Sequence, residues 1–357
     1  MKMAKGVTGR ALTLTPNDLL LQARAESEFA ELGSVAVGHG PIADVVVDPG
    51  SSTLAVTNYR DNTVALIDGD DLTAGPATNI GGEPVGAAVA DGRLYVATTS
   101  ASYDSIAVVN TQDHTVVATH PLDLSVTGIA VSRDGRRIFV GRTGRGGADV
   151  AVIDGTTGIA DTVDLATGTG VVVDPVRVNA DGRRLCAAVS DALGSDLLVI
   201  DAEAVRVLAA VATGSPIRDI ALSPEGSRAY VLVCDQRRGG SLHVIDTKSG
   251  RMSTTVEIGG HPTQLSLSPD GTRAYVVDSD AVLVVCTVTR AIVGTITVGA
   301  QPSCVATSPD GARLYVADYA GVVTAVAVAP AKTVPLFNAM ALQLPTMPEI
   351  LELEPAV

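Results

Sequence analysis

Ser308-Pro309-Asp310-Gly311-Ala312-Arg313-Leu314-Tyr315-Val316-Ala317-Asp318 decides the fold. Its first four residues read as a turn, in which proline presets φ and glycine accepts the positive φ that other residues resist. An apolar run with aromatic and β-branched members follows at once, as in a strand on a half-buried pleated surface. The same phrase returns along the chain. Ser132-Arg133-Asp134-Gly135, Ser223-Pro224-Glu225-Gly226 and Ser268-Pro269-Asp270-Gly271 repeat the turn, and Asn179-Ala180-Asp181-Gly182 varies it. Asp48-Pro49-Gly50 and Ala90-Asp91-Gly92 shorten it. The turn glycines Gly50, Gly92, Gly135, Gly182, Gly226, Gly271 and Gly311 recur every ~40–47 residues, the period of four-stranded propeller blades.

Each unit has the same internal order. A short apolar strand precedes the turn. A second follows it, as in Leu94-Tyr95-Val96-Ala97, Ile138-Phe139-Val140-Gly141 and Ala274-Tyr275-Val276-Val277. A third tends to end in Asp or Asn, as in Val64 to Asp68 and Leu242 to Asp246. A fourth leads to a Gly-x-x-Pro-like loop, as in Gly81 to Pro84, Gly259 to Pro262 and Gly299 to Pro302. The seventh unit supplies three strands and stops at Pro330, while Ser34-Val35-Ala36-Val37-Gly38 lies ahead of the first unit. That segment is expected to complete blade 7 and so remove the open edge of the array. The expected fold is therefore all-β: a seven-bladed β-propeller of four-stranded antiparallel blades, closed by an N-terminal strand. The expected boundaries are an N-terminal extension over 1–33, the propeller over 34–330 and a Pro/Leu-containing tail over 331–357. Thr15-Pro16-Asn17-Asp18 followed by Leu19, Leu20, Ala23 and Phe29 reads as a short capped helix reaching about Leu32.

Gly299-Ala300-Gln301-Pro302, Ser308-Pro309-Asp310-Gly311 and Tyr315-Val316-Ala317-Asp318 resemble the YVTN-repeat family of β-propellers, which are also WD40-like. The resemblance covers about Ser34 to Ala329. It implies a binding or scaffold protein; related propellers include lactonases and electron-transfer enzymes. Blade 4 departs most, with Cys186 in the tyrosine slot and Pro175 just ahead of its first strand.

The composition narrows the function classes. A net charge of −14 repels phosphate backbones, so no nucleic acid is expected as partner. No run of 18 apolar residues exists, so no membrane span is expected. Met1 to Leu14 has no continuous apolar stretch, which points to a cytoplasmic location unless a leader has been removed. Cys186, Cys234, Cys286 and Cys304 show no C-x-x-C spacing, so zinc and thiol redox motifs are missing and no cofactor is expected. They read as small buried hydrophobes in a reducing compartment, with a disulfide pair still open. Zero Trp and no haem motif count against a redox or quinone enzyme. No Gly-x-Ser-x-Gly elbow occurs. A monomer is expected.

Two loops stand out on the face where propellers usually carry function. Gly141 to Gly147 in blade 3 holds Arg142 and Arg145, and Asp235 to Gly240 in blade 5 holds Arg237 and Arg238. Guanidinium forks suit carboxylates and phosphates. A small anionic ligand or a protein partner is therefore expected at these loops. Arg177 is a further ligand-facing candidate, because the equivalent position elsewhere is Val46, Ala88, Ala130, Ala221, Ser266 or Ala306. If buried, it needs a partner, and Asp174 or Asp219 can serve. His39, Asp44, Asp219 and His261 are the catalytic candidates, since loops entering different blades meet at the channel mouth. A His–carboxylate group there could act as an acid–base pair or hold a metal, as in a lactonase-like hydrolase. The leading expectation is a non-enzymatic binding or scaffold protein, and that hydrolase is the alternative.

Overall fold

The computed structural model of the chain describes residues 29–122, 125–144 and 146–329. Arg145, the tail from residue 331 and the helix candidate as far as Glu28 lie outside the described residues. Seven four-stranded antiparallel sheets form a ring of blades. Blade 1 is typical in order, running from Ile42–Val47 through Thr53–Asn58 and Thr63–Asp68 to Thr78–Asn79. Blade 7 takes Pro302–Thr307, Arg313–Asp318 and Val322–Val328 from the end of the described chain and Phe29–Ala36 from its beginning. Phe29 pairs with Val328 and Ala36 with Val322. The closing strand thus starts at Phe29 rather than Ser34, and the segment expected to end a helix is strand. Pairing with an otherwise open edge outweighs its local helical pattern.

The core lies between blades. Tyr315 and Ala317 of blade 7 pack with Ile42, Val45 and Leu54 of blade 1. Leu314 and Val316 pack with Tyr275 and Val284 of blade 6. The two faces of each sheet thus feed two different cores, which is why the second strands are apolar on both sides rather than alternating.

The repeated turn is built by its serine. Ser268 Oγ donates to Asp270 Oδ1 at 2.6 Å and accepts from the Arg273 N–H at 2.9 Å. Ser308 does the same with Asp310 and Arg313. In blade 4 the Asn179 carboxamide oxygen replaces the hydroxyl and accepts from the Arg184 N–H at 2.8 Å. Gly271 and Gly311 sit at φ +68° and +73°, which explains the glycine of the phrase.

Candidate functional site

Successive strands of each blade are antiparallel, so the links between blades and the turns between second and third strands share one face. Each first strand runs from that face into the central channel. In six blades a bulge interrupts its pairing near the mouth, between Ile42 and Asp44, Pro84 and Gly86, Val126 and Gly128, Val173 and Val176, Ile217 and Asp219, and Pro302 and Cys304. A bulge re-aims the side chain beside it. In blade 4 the strand begins at Val172, so Pro175 lies inside it at the bulge, where an edge strand tolerates proline.

The re-aimed side chains reach the next blade. Asp44 Oδ2 accepts from the Ala87 N–H at 3.1 Å. Asp219 Oδ2 accepts from the Leu265 N–H at 2.9 Å, and its Oδ1 accepts from its neighbour Ile220 at 2.8 Å. In blade 6, whose first strand pairs without a bulge, the longer Gln264 makes the equivalent reach, its Oε1 accepting from the Val305 N–H at 2.6 Å. Arg177 completes the group: its Nη2 donates to Asp219 Oδ1 at 2.7 Å and its Nη1 to the Val176 carbonyl at 3.0 Å. Asp219 is therefore the partner the sequence left open against Asp174. The Asp219 side chain is only 3% exposed, whereas Arg177 keeps 38% on the channel side.

A cavity of about 330 Å³ lies against Asp44, Arg177, Gln264 and Ser266, with Val46, Ala88, Ala130 and Ala306 among its aliphatic walls. Asp174 lines a neighbouring groove with Ala43, Tyr59 and Val126. Burial pushes the Asp44 carboxyl up to about 6, against the pull of Arg177 and the Ala87 N–H. Burial also lifts Asp174 to about 6, opposed by Arg177. Asp174 is nonetheless exposed to solvent whereas Asp44 is half-buried, so water screens Asp174 and Asp44 is the carboxyl whose raised pKa carries weight. Burial raises Asp219 too, although Arg177 and two backbone N–H groups pull it down. Burial alone would lower Arg177, but the three carboxylates outweigh it and hold its pKa above the ordinary value.

The two candidate histidines stand apart from this group. His39 is exposed and its N–H points to Asp61 Oδ2 at 3.4 Å. His261 is exposed, and its N–H donates to Asp278 Oδ1 at 2.7 Å. Neither lines the cavity. Among the described residues no group of three His, Cys, Asp or Glu side chains is arranged to hold a metal.

The arginine loops also resolve differently from one another. Arg142 belongs to the strand Arg137–Gly144, which pairs with Gly147–Asp154 almost to the tip. It is not on a loop: its Nε donates to Asp149 Oδ1 at 2.7 Å in a largely buried ion pair. Arg237 and Arg238 do sit on an exposed turn. Their backbone N–H groups donate to Asp235 Oδ1 at 2.8 and 3.0 Å, which leaves both side chains in solvent.

Sequence reasoning missed a set of arginines that open the second strands. Arg137 donates to the Ala202 carbonyl of blade 4 and Arg273 to the Ala329 carbonyl of blade 7. Arg313 reaches Gly69 and Asp70 of blade 1. The signal was present: arginine stands two residues before the aromatic slot in Arg93, Arg137, Arg228, Arg273 and Arg313.

No family model matches the chain. It is similar to the seven-bladed beta-propeller protein Rv1057 of Mycobacterium tuberculosis, with 38% identity over 232 residues covering 56% of this chain and 59% of that protein. It is also similar to a seven-bladed beta-propeller protein of Mycolicibacterium smegmatis, with 44% identity over 185 residues covering 52% and 50%. The matched stretches thus span between half and three fifths of these curated relatives. Among solved structures, Kuenenia stuttgartiensis hydrazine synthase superposes with a TM-score of 0.71 and 21% identity, over 83% of this chain and 97% of that one. This last likeness is one of fold alone. By repeat, topology and these relatives, the chain is a seven-bladed β-propeller protein related to other bacterial seven-bladed propeller proteins.

Proposed function

We propose that the chain is a non-catalytic binding protein of YVTN-repeat type, which docks a protein partner on the face bearing the turns between second and third strands. One observation carries this reading. Tyr59, Tyr103, Tyr319 and Leu193 are exposed on such turns in blades 1, 2, 7 and 4, Leu193 at 96%. Arg237 and Arg238 occupy the same turn in blade 5. Exposed tyrosine and arginine are the residues that most often anchor protein interfaces. A rigid ring presents them with little ordering cost. The test is photocrosslinking from residues 103 and 237, with Val288 on the opposite face as control. A partner captured from the first two, and weakened about tenfold or more by joint Arg237→Ala and Arg238→Ala substitution, is the expected result. Capture as efficient from residue 288 overturns the reading.

A lactonase-like hydrolase is the second reading, and the Asp44 carboxyl in the cavity favours it, with Asp174 close by. Burial pushes Asp44 up to about 6, a range suited to acid–base work at neutral pH. A lactone panel tests it: turnover that Asp44→Asn and Asp174→Asn leave intact removes this reading. We assign the protein to the cytoplasm, supported by four free cysteines; recovery in another cell fraction would overturn this.

A further inference from the structure

Arg177 is the one charged residue at a slot that holds only alanine, valine or serine in the other six blades. Its pairing with Asp219 explains how its charge is tolerated but not why it faces the channel. A guanidinium has five N–H donors, and the bonds to Asp219 and Val176 account for two. Asp219 is fully engaged, with three donors on its two oxygens. Asp44 is engaged less fully: its carboxylate takes the Ala87 N–H on Oδ2 and feels the Val45 N–H beside it, which leaves acceptor capacity toward the channel. Asp174 makes no hydrogen bond among the described residues. Its Oδ1 instead lies over Gly128 of blade 3, 3.1 Å from where a Cβ would stand, so the missing side chain of that glycine gives it room.

The mouth therefore offers free cationic donors and free carboxylate acceptors together. Three carboxyl groups face one guanidinium, so a lone anion meets net repulsion and an ammonium group meets net attraction. The remaining walls are aliphatic. A volume of about 330 Å³ is at the small end of ligand pockets.

We infer that the channel mouth binds a small aliphatic zwitterion, with its carboxylate on the open donors of Arg177 and its ammonium group against Asp44, on the side where Asp174 of the adjoining groove adds its negative charge. Arg177, buttressed by Asp219, sets the orientation. This site is separate from the turn face proposed for a protein partner.

Calorimetric titration with three matched probes tests it. L-leucine carries both charges, isopentylamine only the ammonium, and 4-methylpentanoate only the carboxylate. The expected result is leucine bound at least about tenfold more tightly than either probe with one charge. Equal affinities overturn the inference, as does no binding of leucine up to about 10 mM. Asp174→Asn removes a group without hydrogen bonds and Asp44→Asn keeps an acceptor for Ala87, so both variants preserve the blade contacts. Each is expected to weaken leucine and isopentylamine about tenfold. Arg177→Lys, which keeps a charge for Asp219, is expected to weaken leucine and spare isopentylamine. Unchanged leucine affinity in all three variants overturns the site. Arg237→Ala with Arg238→Ala is expected to leave leucine binding untouched, so failure here and failure of the partner reading are distinguishable.

Discussion

Asp44 shows how one carboxyl can join blades and still weigh against stability. Burial lifts its folded pKa from 3.8 to about 6, with Arg177 and the Ala87 N–H opposing. A raised carboxyl means that the folded state binds the proton more tightly than the unfolded one. The penalty for keeping Asp44 charged is therefore full above about pH 6 and fades as pH falls through 6 towards 3.8. Asp44→Asn removes that penalty while an amide oxygen still accepts from Ala87. Denaturation midpoints across pH should find the variant more stable than wild type at pH 7, with the gap closing by pH 4. A gap that stays constant would mean that Asp44 does not titrate in this window. The cysteines make a contrasting case. Burial pushes the Cys186 thiol up to about 12. Cys286 is half-buried; burial alone would raise its thiol, but hydrogen bonds from Thr289 and Val288 and the charge of Arg273 together bring its pKa below the ordinary value. A thiol reagent should therefore modify one cysteine fast in the native protein, and Cys286→Ser should abolish that phase. A fast phase that survives the substitution would refute the assignment.

At the scale of the element, most of what recurs was legible because turn chemistry is local. Ser268, Asp270 and Gly271 are within four residues of one another, and their bonds close within the turn. Ser268→Ala strands the Arg273 N–H beneath the turn and should cost about 1–2 kcal/mol. Urea unfolding of that variant against Thr272→Ala, which loses only exposed hydrogen bonds, checks this; equal midpoints would refute it. Strand ends were less legible, because tertiary pairing decides them. Gly141 to Gly147 reads as a glycine-rich loop, yet the ladder with the next strand extends to Gly144 and Gly147 and draws Arg142 onto Asp149. Phe29 to Leu32 reads as helix, yet the edge of Val322–Val328 recruits it. In both cases the deciding partner is a strand edge that local propensity does not contain.

At the scale of the whole molecule, every blade boundary is crossed by a side-chain bond. Asp44 to Ala87 joins blades 1 and 2, and Tyr95 to Gly135 joins 2 and 3. Arg137 to Ala202 joins 3 and 4. Arg177, Asp219 and Leu265 form a relay across 4, 5 and 6, and Gln264 to Val305 follows. Tyr315 to Gly69 closes the circle between 7 and 1. Most of these partners are 40 to 46 residues apart, one repeat unit. The candidate mouth was thus half legible: Asp44, Arg177 and Asp219 stood out by slot, and their partners lay one period along. Asp174 and the histidines were harder, because a bulge rather than the period aims the former and loop geometry carries the latter outward. The closing contact, 246 residues apart, has no periodic signal. Blade 7 holds its fourth strand only by pairing Phe29–Ala36 with Val322–Val328. Deleting the chain through Ala36 would leave the outer edge of Val322–Val328 unpaired and uncover Val326 and Val328. An open, apolar edge of this kind recruits other chains. The truncated protein should unfold at lower denaturant and form oligomers by light scattering. A monomer with an unchanged midpoint would mean that blade contacts, not the closing strand, hold the ring.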